Sequence, residues 1–225
     1  RIELTPSFPV TPGQAVLVTV VADSLADITG IKLFVDGAEV ALDSRGRATI
    51  TPTVPGKMSL RAVATDADGL TGTQILPLKV RDAADRSAPV LFFEEDIARR
   101  GLSGIVTVGG LVADNNLDSW TLELRSADGL RLIRTLGRGE AAVGGALAQL
   151  DTRSLLNGFY SLRLVASDIG GRQSRVDVQI EVNGTDKVAR HTDTRTDLVT
   201  QLGGIEFGLG RRYDSLAAVD ADFGS

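Results

Sequence analysis

"GFYSLRLVASDIGGRQSRVDVQIEV", residues 158–182, holds two alternating apolar stretches around a Gly-Gly turn. That is the pattern of an antiparallel β-hairpin with one buried face. An earlier stretch, "GKMSLRAVATDADGLTGTQILPLKV" at 56–80, repeats it. At a constant offset, Gly56, Ser59, Leu60, Arg61, Val63, Ala64, Asp66 and Gly69 match Gly158, Ser161, Leu162, Arg163, Val165, Ala166, Asp168 and Gly171. The alternation puts Tyr160, Leu162, Leu164 and Ala166 on one face and Ser161, Arg163 and Ser167 on the other. In the first copy Met58, Leu60, Ala62 and Ala64 face inward. Asp66 and Asp168 are placed to cap the turns, and Gly69 and Gly171 to supply positive φ.

The pattern continues outward from the hairpins. "AVLVTVVAD" (15–23), "GIKLFVDG" (30–37), "RATITPTV" (47–54) and "TQILPLKV" (73–80) are short, rich in β-branched residues and separated by turns. Strands at roughly 8–12 residue spacing with no helical period indicate an antiparallel β-sandwich. The second half repeats the plan with "LFFEED" (91–96), "GIVTVGGLVAD" (104–114), "SWTLELRS" (119–126), "LRLIRTL" (130–136) and a stretch around 145–151. "VAD" ends the second strand and "DG" follows the third in both halves. The second half adds "GRGEAAVGGALAQ", which reads as a mobile loop or a short helix. The predicted fold is therefore all-β. It comprises a sandwich over 1–82, a linker at 83–88, a second sandwich over 89–183, and a linker and hairpin over 184–225. The hairpin turns at Gly203-Gly204 and pairs Leu202 with Ile205, Thr200 with Phe207 and Leu198 with Leu209. With Tyr213, these apolar residues form a candidate docking face that needs a partner sheet.

Composition narrows the function. The chain has 225 residues, a net charge of -5, no cysteine and one histidine. The charge argues against nucleic acid, and the absence of cysteine removes disulfides, thiol catalysis and Cys-ligated zinc. No apolar run approaches the ~18 residues of a membrane helix. "RIELTPSFPV" has no signal-peptide core, and both ends read as those of an excerpt from a longer protein. The single histidine, His191, lies in a polar stretch suited to solvent rather than to general-base work, so the chain reads as non-catalytic. Trp120 reads as core, with an exposed carbohydrate platform as the other reading. Asn183 opens an "NGT" sequon.

The loops offer two readings. Asp82, Asp85, Asp114, Asn116, Asp118 and Asp168 should gather at the end of the second sandwich that faces the linker. Asp23, Asp27, Asp66 and Asp68 should gather at the matching end of the first. Oxygen-rich clusters suit calcium, which takes six to eight such ligands. The same residues are the usual cappers of turns. No cofactor is otherwise indicated.

"NGFYSLRLVASDIGGRQS" resembles the late hairpin of bacterial immunoglobulin-like, PKD-like and cadherin-like modules, which occur in tandem in secreted and surface proteins. The tail carries Thr196-Asp197-Leu198, Gly204-Ile205, Arg212-Tyr213-Asp214-Ser215-Leu216 and Asp222-Phe223-Gly224. It resembles the lead-in segment of RHS-repeat (YD-repeat) proteins. That resemblance implies a spacer, plug, stalk or docking region of a large secreted bacterial protein whose β-shell encloses a C-terminal toxin. The shell would be the partner, in the same protein or on a separate chain. "RRYDSL" stands where that family has "RTYDSL", and no full YD repeat follows. The alternative is an adhesin-like cell-surface module, stiffened by calcium, that contacts a protein or glycan.

Overall fold

The structure is a computed structural model, which describes residues 1–185, 192–203 and 205–214. The first repeat contains β1 (Ile2–Thr5), β2 (Val16–Val20), β3 (Ile28–Val35), β4 (Ala38–Val40), β5 (Arg47–Ile50), β6 (Gly56–Asp66) and β7 (Thr71–Val80). They form two antiparallel sheets, in the orders β1-β2-β5 and β4-β3-β6-β7. Val16, Val18, Val20 and Ile50 from one sheet meet Leu33, Leu60, Ala62 and Leu78 from the other in a shared core. The Asp36-Gly37 turn has positive φ at both residues, which matches the right-handed twist of the strands it joins.

The second repeat has β8 (Val90–Phe93), β9 (Gly101–Leu102), β10 (Ile105–Ala113), β11 (Leu117–Ser126), β12 (Leu132–Gly139), β13 (Val143–Asp151), β14 (Gly158–Asp168) and β15 (Gln173–Val182). Short 3-10 turns lie at Glu95–Ala98 and Thr152–Ser154. The sheets run β13-β10-β8 and β12-β11-β14-β15-β9, the first repeat's order with β9 added. Leu122, Leu124, Leu162 and Leu164 are fully buried in this second core. Both repeats are therefore immunoglobulin-like sandwiches, and the inward residues expected from the alternation line the cores.

Two sequence expectations need correction. The "VAD" echo is a match of letters and not of positions. Val112 is buried, whereas Val21 is exposed and its neighbour Val20 takes the inward place. β10 buries Val108, Gly110 and Val112 in step with Val16, Val18 and Val20 of β2, so Val112 corresponds to Val20. The Gly- and Ala-rich insert, in turn, is neither loop nor helix. Its residues end β12 and build β13. Gly139 makes room for Trp120, since a Cβ there would lie 2.6 Å from Trp120 Nε1. That nitrogen donates to the Ala141 carbonyl at 3.0 Å. Trp120 is buried, so the core reading holds over the exposed platform.

The tail forms β16 (Thr192–Leu202) and β17 (Ile205–Asp214), paired in the expected register with one bulge between Thr196 and Leu198. Leu198, Phe207, Leu209 and Tyr213 are exposed, while Leu202 and Ile205 are placed by backbone register alone. His191, Gly204, Ser215, Leu216 and the Asp222-Phe223-Gly224 motif lie outside the described residues.

Candidate functional site at the junction of the sandwiches

The linker runs from Val80 at the end of β7 to Val90 at the start of β8, and polar side chains hold it on both sides. Asn116 lies just before β11 and is buried. Its Nδ2 donates to the Val80 carbonyl at 3.3 Å, and its Oδ1 accepts from Asp82 N at 2.8 Å. One side chain thus ties the exit of the first sandwich and the linker to the second. Both ends of the amide are used, as burial of an amide requires.

A second contact uses two of the chain's four lysines. The β6–β7 register sets Lys57 directly opposite Lys79, an arrangement that repels unless an anion lies between the two. Asp118 is that anion. Its Oδ2 is 2.7 Å from Lys79 Nζ and its Oδ1 is 3.4 Å from Lys57 Nζ. Lys57 also donates to the Asp118 carbonyl and lies 2.7 Å from Glu140 Oε2. Asp118 and Lys57 are each about four-fifths buried at the side chain, at 18% and 20% exposure, so water screens this pair less than an open surface pair.

The third contact is the carboxylate group. Among the described residues, Asp85, Asp114 and Asp168 are the one trio of acidic side chains whose oxygens lie within 4.8 Å of one another. The linker supplies Asp85, the loop after β10 supplies Asp114, and the end of β14 supplies Asp168. Asp168 Oδ1 accepts from Arg172 N at 2.8 Å, closing the hairpin turn. Asp85 Oδ1 accepts from Ser87 N, and Asp114 Oδ1 from Asn116 N. The Arg172 guanidinium reaches into the group. Its Nη2 is 2.6 Å from Asp168 Oδ2 and 3.1 Å from Asp85 Oδ2, and its Nε donates to the Ser87 carbonyl at 2.8 Å. Asp168 Oδ2 is buried without a hydrogen bond of good angle. The short approach to Arg172 is an ion pair rather than an aligned bond. Burial pushes the Asp114 carboxyl above the usual carboxylate range; the Asn116 N–H opposes this, and the charges of Asp85 and Asp168 add to it.

Of the six residues expected to form one oxygen cluster, three converge. Asp118 is occupied by the lysines, Asn116 spends its oxygen on Asp82 N, and the Asp82 carboxylate caps Ala84 N at 2.8 Å. In the first sandwich Asp23, Asp27 and Asp68 are exposed. Asp66 there accepts from Ser24 Oγ and from the N–H groups of Asp68 and Leu70, as a turn cap does. Reasoning from sequence missed Arg172, Lys57, Lys79 and Glu140. The repeat itself marked Arg172, because Leu70 stands in its place in the first copy.

The three carboxylates fit a single positive centre, and the Arg172 guanidinium supplies one. A hard cation would find three carboxylate donors here, short of the oxygen set calcium usually takes.

No protein-family model and no curated protein matches this chain. Solved structures similar to it include the fibronectin(III)-like modules of Clostridium thermocellum CbhA, at 14% identity and a TM-score of 0.34, covering 85% of this chain and 98% of that one. The BSP domain of a biofilm-associated protein matches at 14% identity and a TM-score of 0.26, over 84% of this chain and 30% of that one. SGBP-B of a Bacteroides ovatus mixed-linkage glucan utilization locus, in complex with a mixed-linkage heptasaccharide, matches at 18% identity and a TM-score of 0.26. That match covers 93% of this chain and 57% of the neighbour.

Proposed function

We propose that this chain is a non-catalytic spacer and docking region of a secreted or cell-surface bacterial protein, holding two sandwiches at a fixed angle. The observation that supports this most is the junction, where Asn116 and Asp118 bind residues of the first sandwich and Arg172 holds the linker. A linker tied by three separate side-chain contacts has little freedom left to swing. Small-angle X-ray scattering on the parent and on Asp118→Lys tests it. The charge reversal sets a third cation against Lys57 and Lys79, and the particle should become broader and more variable in shape. Identical scattering from the two proteins would overturn the reading.

Within this reading, the tail hairpin is the docking element and an RHS-type β-shell is its partner. Support comes from the sequence order of the tail motifs and from the exposed apolar residues Leu198, Phe207 and Leu209. Reading the coding sequence downstream of Ser225 tests this. YD repeats at roughly twenty-residue spacing fit it, and further sandwiches or a cell-wall anchor contradict it. The second reading is an adhesin-like module stiffened by calcium, and the Asp85–Asp114–Asp168 group is what favours it. The calcium titration described below separates the two.

A further inference from the structure

The two sandwiches have equivalent ends at the late hairpin turn, and only that of the second is covered by a linker. The equivalence follows from register. Ile28 pairs with Asp66 as Leu117 pairs with Asp168. Ala67 N donates to the Asp27 carbonyl as Ile169 N donates to that of Asn116. Asp66 N donates to the Leu70 carbonyl as Asp168 N donates to that of Arg172. The buried partners of β2 and β10 set Arg1 in the place of Val90. In the second sandwich the linker lies over this end, held through Asp85 and Ser87 by Arg172.

In the first sandwich the same place is a cleft of about 800 Å³, lined by Arg1, Val20, Val21, Ile28, Ala64 and Leu70 among others. Its recognition chemistry differs. Leu70 replaces Arg172 and is 69% exposed, and Val21 is 40% exposed. The carboxylate of Asp66 is already occupied by Ser24 Oγ and two backbone N–H groups. Arg1 and the exposed Asp23 also line the cleft, while the larger share of its exposed lining is apolar.

We infer that this cleft seats an extended polypeptide segment leading into β1, recognised by burial of an apolar side chain on Val21 and Leu70. The side chain stands where Asp85 stands in the other sandwich, at the fifth residue ahead of Arg1. The two ends thus accept linkers of different chemistry, one acidic and one apolar, which fixes which segment can precede which sandwich. The spacer reading concerns the opposite end of this sandwich and stands or falls on junction rigidity alone.

The test extends the full chain at Arg1 with a copy of residues 81–89, "RDAADRSAP", and with a version carrying Leu at the position copied from Asp85. Hydrogen exchange is followed at Val21–Ile28 and Leu70–Gln74. The Leu version should slow exchange there by about tenfold, the scale of burying one apolar side chain, with less effect from the Asp version. In Leu70→Arg, an exposed site that tolerates the change, the preference should reverse toward the Asp version. Exchange equal to the parent's with both extensions overturns the inference, as does equal protection by both. Protection in the unextended chain that rises with protein concentration would assign the cleft to a second copy and also overturn it.

Discussion

Replacing Arg172 with Gln probes the junction at its most charged point. The change removes the cation facing Asp85 and Asp168, whose side chains are 2% and 0% exposed. Removing one partner of a buried ion pair costs roughly 3–5 kcal/mol, because the remaining charge stays buried without compensation. Arg172 itself is 34% exposed, so water moderates the loss, and about 2–3 kcal/mol is expected for the second sandwich. For a unit of this size that lowers the thermal midpoint by roughly 10–20 °C. The assay is calorimetry or circular dichroism across a range of pH. The Asp114 carboxyl already sits above its ordinary range, so the folded state binds its proton at higher pH than the unfolded chain does. Its ionisation destabilises the fold as pH rises through the folded value, and that cost is relieved as pH falls. Without Arg172 the charge of Asp114 is less well balanced, so the variant's stability should rise more steeply than the parent's as pH falls from neutral. A variant within about 0.5 kcal/mol of the parent, with the same pH slope, would refute the view that Arg172 is the counter-ion of this group.

Millimolar calcium should leave the parent's thermal midpoint unchanged and raise that of Arg172→Gln, where the cation's place is free. A chelator-sensitive midpoint in the parent would instead favour the calcium-stiffened adhesin reading. Gly139→Ala should destabilise the second sandwich by about 1–3 kcal/mol, since the new methyl group meets the Trp120 ring. Trp120 is the chain's one tryptophan, so its fluorescence reports this unfolding directly. Asn116→Ala leaves the Val80 carbonyl and Asp82 N without their partner. It should cost about 1–3 kcal/mol and speed exchange of the Asp82 amide.

The sandwiches were legible because their code is local. Alternation from Met58 to Ala64 and from Tyr160 to Ala166, with an Asp cap and a Gly turn, specifies a hairpin without reference to distant residues. The tail register was legible for the same reason, since a two-residue turn fixes every pair beyond it. The alignment of the second strands was not, because the letters "VAD" fall one position apart on the two alternations, so Val112 faces inward and Val21 outward. Gly139 was misread because its reason is Trp120, which lies on another strand. The junction was half legible. Asp and Asn in the loops marked where polar contacts would gather, whereas the choice between cation and side chain depended on Arg172. Lys57 and Lys79 are twenty-two positions apart, and only the hairpin register makes them neighbours.

The central claim is that the two sandwiches form one rigid unit. Because the chain has no cysteine, spin labels can be placed without background at Ala38→Cys in the first sandwich and Arg131→Cys in the second, both exposed. Pulsed dipolar spectroscopy then reads the distance distribution between them. A single narrow distribution that broadens in Asp118→Lys is the predicted result. A distribution already broad in the parent and unchanged by the substitution would contradict the account.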